Sequence, residues 1–305
     1  MTGGRDAQGG AAEGLLVSHF GVSVEVLFDD GERRMVRVKR NSGHVVGDRV
    51  RVQGEVLLRL PRKTELQRRD ARGGIHLVAA NLDVLGVVVA LMSPSGFVDR
   101  AVVSARAAGL EPFLVVNKCD LPETEQLLAG LSATYSGAIP VFGLSAVTRQ
   151  GLEPLRSFLA QGHRGAFVGS TGVGKSSLLN SLVPNLDLKV AEVSEHRHQG
   201  RHTTTVSSLH SVPGGGELVD TPGFRDFGLV DISCEELAAH FPGFEALELN
   251  GCRFGNCRHR QEPGCAVASL VAEGRLPAER YQTYLELLSE VEAAEIAAQR
   301  RGWKK

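Results

Sequence analysis

The chain has 305 residues, 42% of them apolar and 23% charged, and its 34 basic and 35 acidic side chains give a formal charge of −1. This length suits two or three domains, the composition excludes wholesale disorder, and the charge excludes a uniformly basic coat for nucleic acid. The basic residues are unevenly spread, with 14 in residues 1–75 and 13 of those between Arg33 and Arg72. No apolar run approaches the ~20 residues of a membrane-spanning helix; the longest, Val84–Met92, has the length of a strand. Five cysteines, three of them between residues 252 and 265, argue against an extracellular disulfide framework. They argue for a metal site in a reducing compartment, which fits the cytoplasm.

Residues 1–14 are Gly-rich and polar with no apolar signal segment, and are expected to form a disordered arm. From Leu15 to about Glu55 apolar and polar residues alternate, as in Val22–Phe28 and Arg34–Arg40, with Gly31, Gly43 and Gly47 as punctuation. This pattern predicts short antiparallel strands closing a small barrel over residues 15–74. Arg33, Arg37, Lys39, Arg49 and Arg51 fall at outward positions, so a barrel of the oligonucleotide-binding (OB) type is expected, tracking RNA phosphates with positive charge. An ordinary solvated face is the competing reading of those charges. Pro61–Gly74 reads as a polar, basic linker.

Residues 75–232 change character. Continuous buried-strand runs (Val84–Leu91, Phe113–Val116, Pro140–Leu144, Ala166–Val168) alternate with helix-period segments at Phe97–Ala108, Glu123–Thr134 and Leu152–Ala160. Strands alternating with helices predict an α/β domain with a mostly parallel sheet covered on both faces. Residues 233–305 are expected to be helical around a Cys/His cluster, with a final helix over about 277–300.

Gly169-Ser-Thr-Gly-Val-Gly-Lys-Ser176 follows a strand and opens a helix expected at Ser177–Leu182, the context a phosphate-binding loop requires. Its glycines let backbone N–H groups converge on phosphate at the positive end of a helix, with Lys175 reaching the β- and γ-phosphates and Ser176 ligating Mg²⁺. The expected nucleotide contacts run from Val168 through Gly169, Ser170, Thr171, Gly172, Val173, Gly174, Lys175 and Ser176 to Ser177. Asn117-Lys-Cys-Asp120 follows another strand, and a carboxylate at Asp120 can accept both the ring N–H and the exocyclic amine of guanine. Lys118 and Cys119 complete that loop, Asn117 is expected to tie it to the phosphate loop, and Ser145-Ala146 offers a backbone N–H to the guanine carbonyl. Asp220-Thr-Pro-Gly223 supplies a carboxylate for Mg²⁺ through water and the Gly223 N–H for the γ-phosphate. Gly200–Thr205 lies where a switch loop belongs, with Thr204 the expected additional Mg²⁺ ligand.

These motifs resemble those of Ras-like GTPases in a circularly permuted order, with the base-recognition loops preceding the phosphate loop. At the position of the water-orienting glutamine stands Phe224, whose phenyl ring cannot position water, so unaided hydrolysis is expected to be slow. His202 is the candidate for that task, beside Lys175 as catalytic residue, with a merely polar loop residue as the competing reading; its neighbours His196, Arg197, His198 and Arg201 could instead contact RNA phosphate.

Cys252, Cys257, His259 and Cys265 offer three thiolates and an imidazole, a complete tetrahedral shell for one structural Zn²⁺. Arg253, Arg258 and Arg260 beside it suggest an RNA-contacting module. Cys119 and Cys234 read as packing residues.

Barrel, permuted GTPase and zinc knuckle together resemble the bacterial ribosome small-subunit-dependent GTPase A family. Gly47–Val50, Pro61–Lys63, Ala80–Asp83 and Gly200–Thr205 carry further matching text. The resemblance implies a cytoplasmic, monomeric factor, without membrane attachment, that binds the small ribosomal subunit and its rRNA late in assembly. The subunit is then expected to stimulate hydrolysis of GTP to GDP and so to release the factor. The alternative is an RNA-binding assembly chaperone in which GTP is only a structural ligand.

Overall fold

A computed structural model of the chain describes residues 12–54, 56–69, 74–184, 186, 188, 206–220, 229–230, 232–244 and 251–302. Thirteen strands and seven helices are formed among them. The N-terminal strands are β1 (Ala12–His19), β2 (Ser23–Phe28), β3 (Arg33–Arg37), β4 (Arg49–Gln53), β5 (Val56–Arg59), β6 (Glu65–Arg69) and β7 (Ile75–Ala80). Then follow β8 (Val84–Val89), α1 (Phe97–Ala107), β9 (Glu111–Val116), α2 (Glu123–Tyr135), β10 (Val141–Gly143), α3 (Leu152–Leu159), β11 (Arg164–Val168) and α4 (Lys175–Leu182). The last elements are β12 (Ser207–Val212), β13 (Gly216–Asp220), α5 (Leu237–His240), α6 (Ala266–Ala272) and α7 (Ala278–Gly302).

The alternation seen in the sequence becomes a sheet ordered β10-β9-β8-β11-β13-β12, with all pairs parallel except β12–β13. Both faces are covered, as a parallel sheet requires. Leu85, Val87, Val89, Leu114 and Val116 point to one face and pack with Val98, Ala101 and Val102 of α1 and Tyr135 of α2. Val84, Val88, Phe113 and Val115 point to the other and pack with Leu155 and Leu159 of α3 and Leu178 and Leu182 of α4. Period-two side chains meeting period-3.6 faces on both sides is what the sequence pattern encoded.

The N-terminal strands wrap around Leu16, Val24, Val26, Val36, Val50 and Val52, a core continuous with one face of the sheet. β1 is central, pairing with both β2 and β4, while β3 and β5 are the outer strands; no β3–β5 pairing closes the seam among the described residues. β1 also pairs with β12, so the N-terminal strands and the mostly parallel sheet form one eleven-stranded array.

Three expectations change. Residues 12–14, assigned to the disordered arm, are strand residues whose partners are Val52, Arg51 and Val50. Pro61–Gly74 is not simply a linker, because β6 lies within it and pairs antiparallel with β7. The basic face is also less free than its spacing implies, since Arg33 pairs with Glu25, Arg49 with Asp29, and Arg51 with Glu13 at 2.6 Å. Arg37, Lys39 and Arg40 are exposed.

The C-terminal elements surround Phe241, Phe244, Tyr284, Leu287 and Leu288, and this core reaches Val103 of α1. A charged contact reinforces the junction: Arg280 of α7 donates to Asp99 of α1 at 2.8 Å, and the Tyr135 hydroxyl donates to the same carboxylate oxygen at 2.8 Å. Burial holds the Asp99 carboxyl above its ordinary range even though Arg280 and Tyr135 act against that rise.

Candidate nucleotide site and metal centre

β8, β9, β10, β11 and β13 run parallel, so their carboxyl ends lie along one edge, where α/β sheets bind ligands. Every expected nucleotide loop among the described residues leaves from that edge. Asn117 follows β9, Ser145 follows β10 by one residue, Gly169 follows β11, and Asp220 ends β13.

Asn117, 2% exposed, joins three of these segments. Its Nδ2 donates to the Val173 carbonyl at 2.7 Å, and its Oδ1 accepts from the Ala146 N–H at 3.0 Å. The expected tie to the phosphate loop is present, and the second tie to Ser145-Ala146 is an addition the sequence did not show. This approach explains Gly174: its φ is 94°, and a Cβ there would lie 2.3 Å from Asn117 Nδ2. Cys119 N–H donates to the Leu144 carbonyl at 3.1 Å, holding the base loop against the strand end that leads to Ser145. Lys118 adopts a φ of 68°, Asp120 is exposed, and Ser145 is fully buried with its Oγ accepting from Thr148 N–H at 3.1 Å.

In the phosphate loop, Lys175 Nζ donates to the carbonyls of Gly169 at 2.6 Å and Ser170 at 3.0 Å, spanning the loop. Val168 and Val173 are buried, Thr171 and Gly172 are exposed, and the buried Ser170 Oγ has no hydrogen-bond partner among the described residues. Helix α4 begins at Lys175, two residues before its expected start, which puts Ser176 and Ser177 in its first turn. Burial alone pushes the Asp220 carboxyl above its ordinary range, so a cation would stabilise its charged form. His196, Arg197, His198, Arg201, His202, Thr204, Gly223 and Phe224 lie outside the described residues.

The four zinc candidates form one cluster, with their ligand atoms all within 4.8 Å of one another. His259 Nδ1 lies 3.5 Å from Cys252 Sγ and 3.7 Å from Cys265 Sγ. A tetrahedral ion with bonds of about 2.3 Å to sulfur and about 2.0 Å to nitrogen requires a separation of about 3.5 Å, so the donors fit such an ion. Burial, with the neighbouring Cys265 and Cys252, pushes the Cys257 thiol up to about 12, while burial lowers the His259 imidazole and keeps it neutral. The uncharged ring is the form that ligates a cation, whereas a cation would have to displace the Cys257 proton against that rise. Arg258 and Arg260 both bind Glu292 of α7, so the arginines read as RNA contacts are partly committed within the domain. Cys119 is half-buried against the core and Cys234 is buried, with its thiol pushed up to about 11 by burial and by Glu295.

The family text with no chemical role in the sequence forms the joint between barrel and GTPase sheet. Asp48, fully buried, accepts from Arg62 Nε at 2.6 Å and Nη2 at 2.9 Å. Asn81 accepts from Lys63 N–H at 2.8 Å and donates to the Gly47 carbonyl at 2.8 Å. Gly47 has φ 91°, and a Cβ there would lie 2.0 Å from the Ala80 carbonyl oxygen, so only glycine permits this contact. Opposite charges 14 residues apart were visible in the sequence, but nothing in its periodicity paired them.

A phosphate loop and a guanine-type base loop at one sheet edge, in inverted chain order, define a circularly permuted P-loop GTPase. A family model described as RsgA GTPase matches residues 59–230. The chain is 41% identical to the "Small ribosomal subunit biogenesis GTPase RsgA" of Azotobacter vinelandii over 292 residues, covering 90% of this chain and 84% of that one. The protein of the same name from Pseudomonas fluorescens strain Pf-5 is 40% identical with the same coverage. Among solved structures, YjeQ from Thermotoga maritima superimposes with a TM-score of 0.74 at 31% identity, covering 92% of this chain and 98% of its own. YloQ, titled a circularly permuted GTPase, shares the fold with a TM-score of 0.68 at 24% identity, covering 95% and 99%. The chain belongs to the RsgA GTPase family.

Proposed function

We propose that the protein hydrolyses GTP to GDP and phosphate on the small ribosomal subunit during its late maturation, and that hydrolysis releases it. The observation that carries this reading is the bonding of Asn117 to both Val173 and Ala146, which gathers the base and phosphate loops at one edge. Around the substrate, Asp120 accepts from the guanine N–H groups and the Ala146 N–H faces its carbonyl. Lys118 flanks the base, and the N–H groups of Gly169–Ser177 surround the β-phosphate. Lys175 leaves its loop carbonyls for the β- and γ-phosphate oxygens and stabilises charge as water attacks the γ-phosphorus. Ser176, Thr204 and Asp220 would hold Mg²⁺, which neutralises charge on the phosphates. His202 orients the attacking water, because Phe224 cannot.

Zinc is the ion that the Cys252, Cys257, His259 and Cys265 donor set suits, and a shell with no open position makes it structural. We assign residues 12–74 to an RNA-binding barrel, 75–232 to the GTPase and 233–305 to the zinc domain of a cytoplasmic monomer. Among the described residues no helix is long and apolar enough to cross a membrane. GTP turnover with and without purified small subunits tests this function: strong stimulation supports it, and none favours the assembly chaperone that Phe224 keeps in play. Reversing Arg37, Lys39 and Arg40, rather than the paired Arg51, is expected to flatten the salt dependence of rRNA binding.

A further inference from the structure

Strand β12 begins at Ser207, two residues after the expected switch loop ends, and its first pairs join the GTPase sheet to the barrel. Ser208 lies opposite Asp220 on one side and opposite Ser18 on the other. Ser18 in turn lies opposite Glu25, which lies opposite Met35. Directly opposed residues on paired strands share a face. Asp220, Ser208, Ser18, Glu25 and Met35 therefore form one continuous row across five strands, roughly 19 Å at ~4.8 Å per strand. Ser18 is 8% exposed, and its Oγ donates to Glu25 Oε2 at 3.2 Å. Glu25 also holds Arg33 at 3.2 Å, and Met35 is 54% exposed on the outer face of the barrel, where β3 ends at the exposed Arg37.

The β1–β2 register shifts at a bulge between Leu16 and Ser18, and beyond it the row is set by the Ser18–Glu25, Ser18–Ser208 and His19–Ser207 pairs. A one-residue shift between β12 and β1 would turn every side chain of one strand to the opposite face, including the buried Leu16.

We propose that this row couples occupancy of the barrel to the nucleotide site, with Ser18 and Ser208 as positioning residues that act on hydrolysis through Asp220. The proposal rests on the reading of Asp220 as the Mg²⁺-side carboxylate and of the barrel as a partner-binding face. Coupling between two binding events is reciprocal, so nucleotide identity must change affinity at the barrel by the same row.

The test uses the full chain with Ser18→Gly, which weakens strand pairing and removes the bond to Glu25, beside Ser18→Thr, which keeps a hydroxyl on a good strand former. For Ser18→Gly, turnover and KM without subunits stay within about twofold of the parent, and subunit-stimulated kcat falls at least tenfold. The preference of the subunit complex for a non-hydrolysable GTP analogue over GDP collapses toward one. Ser18→Thr restores both. Full stimulation and an intact nucleotide preference in Ser18→Gly would overturn the inference. Should Ser18→Gly fail to fold, amide exchange of Val17–His19 in the unmodified chain decides. Protection that differs between GDP and the analogue supports the row, and identical protection overturns it. A parent that subunits do not stimulate at all refutes the functional reading and removes the basis for the coupling, an outcome distinct from failure of the row alone.

Discussion

Asn117→Ala removes a side chain that bonds two neighbouring loops. It leaves the Val173 carbonyl and the Ala146 N–H without partners at residues 1% and 8% exposed. An unsatisfied buried polar group costs about 1–3 kcal/mol, so the pair costs about 4 kcal/mol. At about 2–4 °C per kcal/mol for a domain of this size, the thermal midpoint should fall by about 8–16 °C. The remaining effect appears in function, because phosphate and base loops no longer hold a fixed spacing. Affinity for GTP should drop at least tenfold, with GDP affected alike since the γ-phosphate is not involved. Scanning calorimetry reads the first quantity and titration with a fluorescent guanine nucleotide the second. A midpoint within 2 °C of the parent together with unchanged affinity would refute the claim that Asn117 fastens the site.

Three further outcomes follow from the packing. Arg62→Met should destabilise the chain by about 3–5 kcal/mol in denaturant, because Asp48 is left charged and fully buried, and adding Asp48→Asn should recover much of that loss. Asp99 has a raised folded-state pKa, so it binds its proton more tightly folded than unfolded, and stability falls as pH rises from its ordinary range through the raised value. Asp99→Asn lacks that slope, so parent stability relative to the variant should decline over the same window in urea titrations at stepped pH, and parallel curves would exclude the effect. Elemental analysis should find one zinc per chain, and Tyr281→Phe should speed its release to a chromogenic chelator. That hydroxyl donates to the His259 carbonyl at 2.8 Å and helps hold its φ of 57°.

The parts of the fold legible in the sequence were those written in burial. Val84–Val89 is buried at every residue, so it reads as an interior strand without reference to its neighbours, and α1 and α3 fall within one residue of their expected limits. The phosphate loop, base loop and cysteine spacing were legible because their chemistry restricts residue type. β6 was not, since Glu65-Leu-Gln-Arg-Arg69 carries a single apolar residue and gains its strand form by pairing with β7. β12 escaped for the same reason, its Ser-rich text being settled by β13 on one side and β1 on the other. The joint of Asp48, Arg62 and Asn81 was present as unexplained text, because pairwise charge and hydrogen-bond complementarity leaves no period to read.

That separated and permuted loops enclose one guanine nucleotide is tested most directly at Asp120. Asp120→Asn replaces an acceptor of two guanine N–H groups with an amide suited to the xanthine edge, and competition binding with GTP and xanthosine triphosphate reads the exchange. A reversal of preference toward the xanthosine nucleotide is the expected result. Unchanged preference for GTP would contradict the placement of the base and the arrangement of the site around it.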